Sequence, residues 1–280
     1  MVTETPDWMK PNPAARPTVD LQTDRPHPAR VYDYFLGGKD NFSADREAAA
    51  HALQSNPNGA RGPLANRDYL RRAVTWLTEQ AGIRQYLDIG TGIPTAPNVH
   101  EVAQKIAPET RVVYVDNDPI VLAHARALLT SDSAGATTYL DADLREPDAI
   151  IAQARQVLDF EQPIALLLIA IMHFVGDDED PYGLARTLIS SLPSGSYVVL
   201  THLTAEIAPE MMGGVARTMT GRGMPMYLRD RAEIAGFVDG LDLVDDIGVV
   251  HRWRPDARDV VPVTAADADV SIYGVIARKP

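Results

Sequence analysis

Residues 86–102 read YLDIGTGIPTAPNVHEV. The strand-like run Tyr86-Leu87-Asp88-Ile89 feeds directly into Gly90-Thr91-Gly92, the way a parallel strand turns sharply beneath a bound nucleoside. Pro94 and Thr95 then stand where a third glycine of the dinucleotide fingerprint belongs. A dinucleotide site holds its pyrophosphate on free backbone N–H groups at the N-terminus of the first helix, and Pro94 and Pro97 remove two such donors. The loop therefore favours a nucleoside ligand that carries no phosphate.

Outward from this loop the chain alternates strand and helix. Strand-like runs end near Ile89, Val115, Leu140, Ala170 and Thr201, roughly 25 to 31 residues apart, the length of one βα unit. Five such units imply a doubly wound, mostly parallel α/β sheet. "PIALLLIAIM" is apolar throughout, as expected of a central strand covered on both faces. "IGVVHRW" and "VSIYGVIARK" are close enough to pair as antiparallel strands at the end of the sheet. Upstream, 28–83 shows no strand signal: "ARVYDYFL", "SADREAAAHALQ" and "PLANRDYLRRAVTWLTEQAG" carry apolar residues at three-and-four spacing and read as a helical cap. Pro63 suits the first position of the third helix and Gly82 its end. Residues 1–27, rich in proline and polar side chains, read as a disordered tail, and 84–280 as the ligand-binding domain.

Composition narrows the function classes. With 26 Lys+Arg against 38 Asp+Glu the net charge is −12, which repels a phosphate backbone, so nucleic acid is not the expected partner. The chain has no cysteine, which removes disulfides, thiolate metal sites and a cysteine nucleophile. The longest apolar run, Ile164 to Met172, is too short to span a bilayer and no signal peptide opens the sequence; a cytoplasmic protein without membrane attachment is the expectation. Oligomeric state is not readable.

In a doubly wound sheet the ligand lies at the C-terminal ends of the strands. After the first come Gly90, Thr91 and Gly92. The second ends in "VVYVDND", where Asp116, followed by Asn117, can accept both hydroxyls of a ribose. The third ends in "YLDADL", with Asp143 and Leu144 suited to the amino group and ring edge of adenine. The fourth ends at Ala170, with His173 just beyond. Asp116 and Asp143 could simply cap helices, but four strand ends agreeing point to S-adenosylmethionine (SAM). A nicotinamide oxidoreductase is disfavoured by Pro94, Thr95 and Pro97. A SAM-binding regulatory protein without turnover is the stronger alternative, because binding residues are clearer than catalytic ones.

The stretches "ARVYDYFLGGKDNFSADR", "NRDYLRRAVTWL", "QYLDIGTGIPTAPNVHEVAQ", "RVVYVDNDPIVLAHARALL", "DADLREP" and "LPSGSYVVLTH" resemble an actinobacterial family of SAM-dependent methyltransferases formerly described as a domain of unknown function. The resemblance runs from about residue 25 to the C-terminus. It implies the class I methyltransferase fold, Rossmann-like with an antiparallel final strand, and SAM as the ligand; it implies no acceptor.

Other features have a plain reading beside the functional one. In "YDYFLGGKDNF" the aromatic side chains could be packing and Gly37-Gly38 a helix stop, yet such a turn can also fold over the cofactor, placing Tyr32, Gly38, Lys39 and Asn41 at the site. His173 is the first candidate for a catalytic base and Tyr32 the second, on position alone. The "GDDEDP" run reads as a solvated loop in which Asp180 caps a helix begun by Pro181, not as a metal site. "MMGGVARTMTGRGMPMY" reads either as a pliable lid with glycine hinges or as a connector. The Asp/Asn-Pro-Pro-aromatic motif of base-amino methylases is absent at Ala170–His173, so a small molecule or a protein is the expected acceptor.

Overall fold

A computed structural model describes residues 21–128 and 134–280. The N-terminal helices take the three periodic stretches: α1 (Pro28–Phe35), α2 (Ser43–Ser55) and α3 (Arg61–Glu79). Pro63 is the third helical residue, not the first; it still lies in the first turn, where backbone N–H groups have no intrahelical acceptor, so its missing donor costs nothing. Gly82 ends α3 as expected: at φ +70° it lets Ile83 N reach back to Leu77 O at 2.9 Å, the left-handed helix stop that a side chain resists.

The strands follow as β1 (Gln85–Ile89), β2 (Arg111–Asp116), β3 (Ala136–Asp141), β4 (Ala165–Ile169), β5 (Tyr197–Leu203), β6 (Asp242–Leu243), β7 (Gly248–Val249) and β8 (Ile272–Arg278). Among the described residues they form one sheet in the order β3-β2-β1-β4-β5-β8-β6, with β7 also paired to β8. The first five are parallel, and β8 runs antiparallel to β5, β6 and β7. Apolar β4 lies between β1 and β5, mid-sheet as its composition predicts. The expected pairing of "IGVVHRW" with the last strand exists but is two residues long, because Val250–Arg252 turns away and buries His251.

Between the strands lie α4 (Val99–Ile106), α5 (Pro119–Leu128), α6 (Pro147–Ala154) and α7 (Pro181–Ser191); α8 (Pro209–Thr220), α9 (Arg231–Ala235) and α10 (Asp267–Val270) follow β5. Asp180 caps α7 through Gly183 N at 3.0 Å, with Pro181 in the first turn. After Asp230 caps it, α9 passes into a single 3-10 turn through Val238.

Among the described residues two apolar cores result. The main one joins the sheet to its helices and takes in the buried face of α3, including Tyr69, Leu70, Val74 and Leu77. The smaller one gathers Val31, Ala48, Ala49, Ala52, Met219 and Met224 from α1, α2, α8 and the turn after α8. Thus α3 packs with the sheet, whereas α8, far along the chain, packs with the N-terminal helices. Gly213 and Gly214 lie inside α8, not at hinges. Gly214 faces Ser55 of α2, where an added Cβ would stand 3.4 Å from Ser55 Oγ, an ordinary van der Waals contact. No helix among the described residues is long and apolar enough to cross a membrane.

Candidate active site

One cavity of about 520 Å³ opens where the strand order reverses around β1, between the C-terminal strand ends and the smaller core. Its floor starts at the loop after β1. Gly90 and Gly92 take φ +73° and +69°, a left-handed backbone that L side chains resist. A Cβ on Gly90 would also stand 2.6 Å from the Ile171 side chain. Gly90→Ala is therefore expected to cost about 1–3 kcal/mol from strain and overlap, read as a drop of several degrees in melting temperature.

The chain leaves the loop only after both prolines: α4 begins at Val99, where Asn98 N donates to Glu101 Oε2 at 2.6 Å. This helix N-terminus is served by the protein's own carboxylate, and the cavity wall takes Ile93 and Thr95 from the loop but no residue of α4. The arrangement offers no seat for a pyrophosphate, in agreement with the proline-bearing loop.

Three carboxylates stand at or near the ends of adjacent strands on this cavity: Asp88 in β1, Asp116 ending β2 and Asp143 after β3. Asp116 is buried and accepts from Gly92 N at 2.8 Å and Asp118 N at 2.9 Å. Burial raises its pKa, with those two hydrogen bonds opposing the rise. A carboxylate has about four lone-pair directions, which leaves two for a ligand. Asp143 accepts from Asn117 Nδ2 at 2.8 Å and Arg145 N at 2.9 Å. Burial acts to raise it, but these bonds and the Arg145 charge together hold it below the usual carboxylate range. Thr91, Asn117, Leu144 and Ala170 also line the cavity. Ala170 has φ +54° with its N–H held by Thr201 Oγ1 at 2.9 Å, an uncommon conformation for alanine of the kind that gathers at functional sites.

Asp88 was not singled out from the sequence, where its apolar neighbours made it look like part of a strand. It is a buried wall residue. Burial pushes its carboxyl up to about 7, against the pull of the Arg67 guanidinium and with the Asp116 charge adding to the rise. Arg67, on α3, also lines the wall and donates to Pro97 O at 2.7 Å and to Thr95 O, tying α3 to the proline loop. Its only sequence signal was a position in a polar helix turn. His27 was equally hidden within the proline-rich tail. Its Nδ1 lies 3.0 Å from Asp118 Oδ2 and 3.3 Å from Ala29 N, joining the start of α1 to the loop after Asp116.

On the cap side, Tyr32 lines the cavity, but its hydroxyl donates to Pro63 O at 3.1 Å and accepts from Asn66 Nδ2 at 3.0 Å. Burial raises its pKa, so it holds its proton and suits positioning better than base chemistry. Gly38 and Asn41 are not part of the wall; they stand behind Asp33, which is. Asn41 Nδ2 donates to Asp33 Oδ2 at 2.8 Å, and a Cβ on Gly38 would stand 1.9 Å from Asp33 Oδ1. Lys39 lies outside the wall as well.

His173 is buried on the cavity wall, and its Nδ1 has no hydrogen-bond partner. Burial, with the neighbouring His202 ring and Arg229, drives its pKa well below the ordinary value, so the ring is neutral. Its carbonyl accepts from Tyr227 N at 2.8 Å, fastening the segment after α8 to the end of β4. His202 does a structural job: Nδ1 donates to Leu203 O at 2.7 Å and Nε2 accepts from Arg229 at 3.0 Å. Arg229 also reaches Asp177 at 2.6 Å, and Glu179 pairs with Arg145, which accounts for two of the acids in "GDDEDP".

The family model for S-adenosyl methyltransferases matches residues 14–280. The chain belongs to that family. This methyltransferase is 49% identical to a DUF574 family protein of Streptomyces avermitilis, over 93% of this chain and all of that one, with a TM-score of 0.90. A Thermobifida fusca protein provisionally assigned as a methyltransferase is 37% identical over 92% of this chain and 97% of its own, with a TM-score of 0.84. An O-methyltransferase family protein of Burkholderia thailandensis, 14% identical with a TM-score of 0.54, shares the fold. No curated protein matches the chain. The enzyme's methyl donor is S-adenosylmethionine, the cofactor of the family.

Proposed function

We propose that the enzyme methylates a small-molecule acceptor bound between the strand ends and the α1–α2–α8 wall, with SAM lying along β1, β2 and β3. The row of Asp88, Asp116 and Asp143 on one cavity carries this reading. In it, Asp116 takes the ribose hydroxyls beside Gly90, Thr91, Gly92 and Asn117. Asp143 accepts from the adenine amino group while Leu144 covers the ring. Asp88 faces the α-ammonium and Arg67 the α-carboxylate of the methionine end. Ala170 brings the end of β4 against the reacting centre, and Gly38 and Asn41 act by holding Asp33.

Bound SAM supplies a methyl group already made electrophilic by its sulfonium, so the protein's task is to orient and to exclude water. His173, neutral and on the cavity wall, can accept a hydrogen bond from the acceptor, while its burial works against taking the proton outright. Tyr32 fixes α1 against α3.

Calorimetry with S-adenosylhomocysteine and with NADH tests the cofactor end; tighter binding of NADH would sink the reading. Asp143→Ala is expected to narrow the preference for the adenine ligand over its inosine analogue, which presents an acceptor where adenine presents a donor. An unchanged preference would make Asp143 only a clamp for Asn117 and Arg145.

A further inference from the structure

The smaller core does two things at once: Val31, Phe35, Ala52, Val215, Met219 and Met224 pack α1, α2 and α8 together and also wall the cavity opposite the strand ends. Charge is distributed unevenly around that cavity. The charged wall residues come from the N-terminal segments, the strand ends and α10, and apart from Asp88, which has only the Arg67 charge to offset it, they have partners within the protein. Arg145 pairs with Glu179 and Asp143, Arg67 with backbone carbonyls, and Asp269 with Arg61. Among the described residues, α8 and the segment through Met226 put no charged side chain on the wall. Nearby polarity is supplied by Asn56 and by the neutral His173 ring on the wall.

We propose that this wall seats an uncharged, flat, predominantly apolar acceptor that presents one hydroxyl or N–H to His173. The proposal rests on the reading that SAM occupies the strand-end side. A charge buried against the α8 wall would lose its hydration without gaining a counter-ion. Thioethers adapt their shape to a ligand and make favourable contacts with ring edges, which suits a flat ring compound. Between them the two walls leave room for a compact ligand, since the whole cavity, about 520 Å³, is within the usual range for one small-molecule site.

The test compares three ligands sharing one ring system, 1-naphthol, 1-naphthoate and protonated 1-naphthylmethylamine, titrated into the full chain by fluorescence with and without S-adenosylhomocysteine. The neutral naphthol is expected to bind at least tenfold more tightly than either charged analogue. Val215→Lys places an ammonium on the wall and is expected to reverse the order of naphthol and naphthoate while leaving S-adenosylhomocysteine affinity within about twofold. Charged analogues binding wild type as well as naphthol would overturn the proposal, as would an unchanged order in Val215→Lys. Failure of S-adenosylhomocysteine to bind would overturn the cofactor reading instead, and the titrations made without it would still decide the acceptor class.

Discussion

Asp116→Ala is expected to weaken S-adenosylhomocysteine binding about a hundredfold or more. Two charge-assisted hydrogen bonds to a ribose, at about 1.5–3 kcal/mol each, are lost together, and every 1.4 kcal/mol is a factor of about ten. The structure adds a second cause. The same carboxylate accepts from Gly92 N and Asp118 N, so its removal leaves two backbone donors without their acceptor and frees the loop that shapes the floor. Calorimetry of the folded variant is the measurement. A loss below tenfold would show that the ribose is not held at the end of β2, and the carboxylate would then be a loop clamp alone.

The second large effect concerns pH. Asp88, pushed up to about 7 by burial, is expected to be protonated in the free enzyme at pH 6 and must lose that proton to face an α-ammonium. Ligand affinity should be level above pH 7 and fall towards tenfold per unit below it. Asp88→Asn should remove most of this pH dependence and bind more weakly at pH 8. Asp116 is also raised by burial, and the slope surviving in Asp88→Asn reports its share. A wild-type profile that is flat from pH 5.5 to 8 would remove Asp88 from the ammonium site. The free protein carries the matching stability signature. Between about pH 4 and 7 folded Asp88 keeps a proton that the unfolded chain has released, so stability falls as pH rises through that window and levels above 7. The difference in melting temperature between wild type and Asp88→Asn, followed across that window, checks the sign.

How far the site could be read from sequence differed from residue to residue. Gly90, Thr91, Gly92, Asp116, Asn117, Asp143, Leu144, Ala170 and His173 all lie at or just after strand ends, and the geometry of a parallel sheet collects strand ends on one edge, so their meeting at one cavity follows from the alternating pattern. Asp88 escaped notice because a buried strand residue is expected to be apolar, and its exception is visible only once β1 has neighbours on both sides. Gly38 and Asn41 read as ligand contacts, yet stand one layer behind Asp33; adjacency in sequence cannot tell the side of a turn that faces a ligand from the side that braces it.

The sequence by itself determined the βα alternation, the central place of the all-apolar strand, the proline-interrupted loop that disfavours a pyrophosphate, and the family. These are local or periodic properties, written in the spacing of apolar residues and the positions of glycine and proline. Only the tertiary structure decided that α8 joins α1 and α2 as the far wall of the site while α3 joins the sheet. Amphipathic periodicity shows that a helix has a face to bury but not which partner buries it, and Met219 meets Val31 across about two-thirds of the chain's length. Likewise the rise of Asp88 towards 7 and the neutrality of His173 come from desolvation by residues distant in sequence, a cost that exists only after the sheet has closed around them.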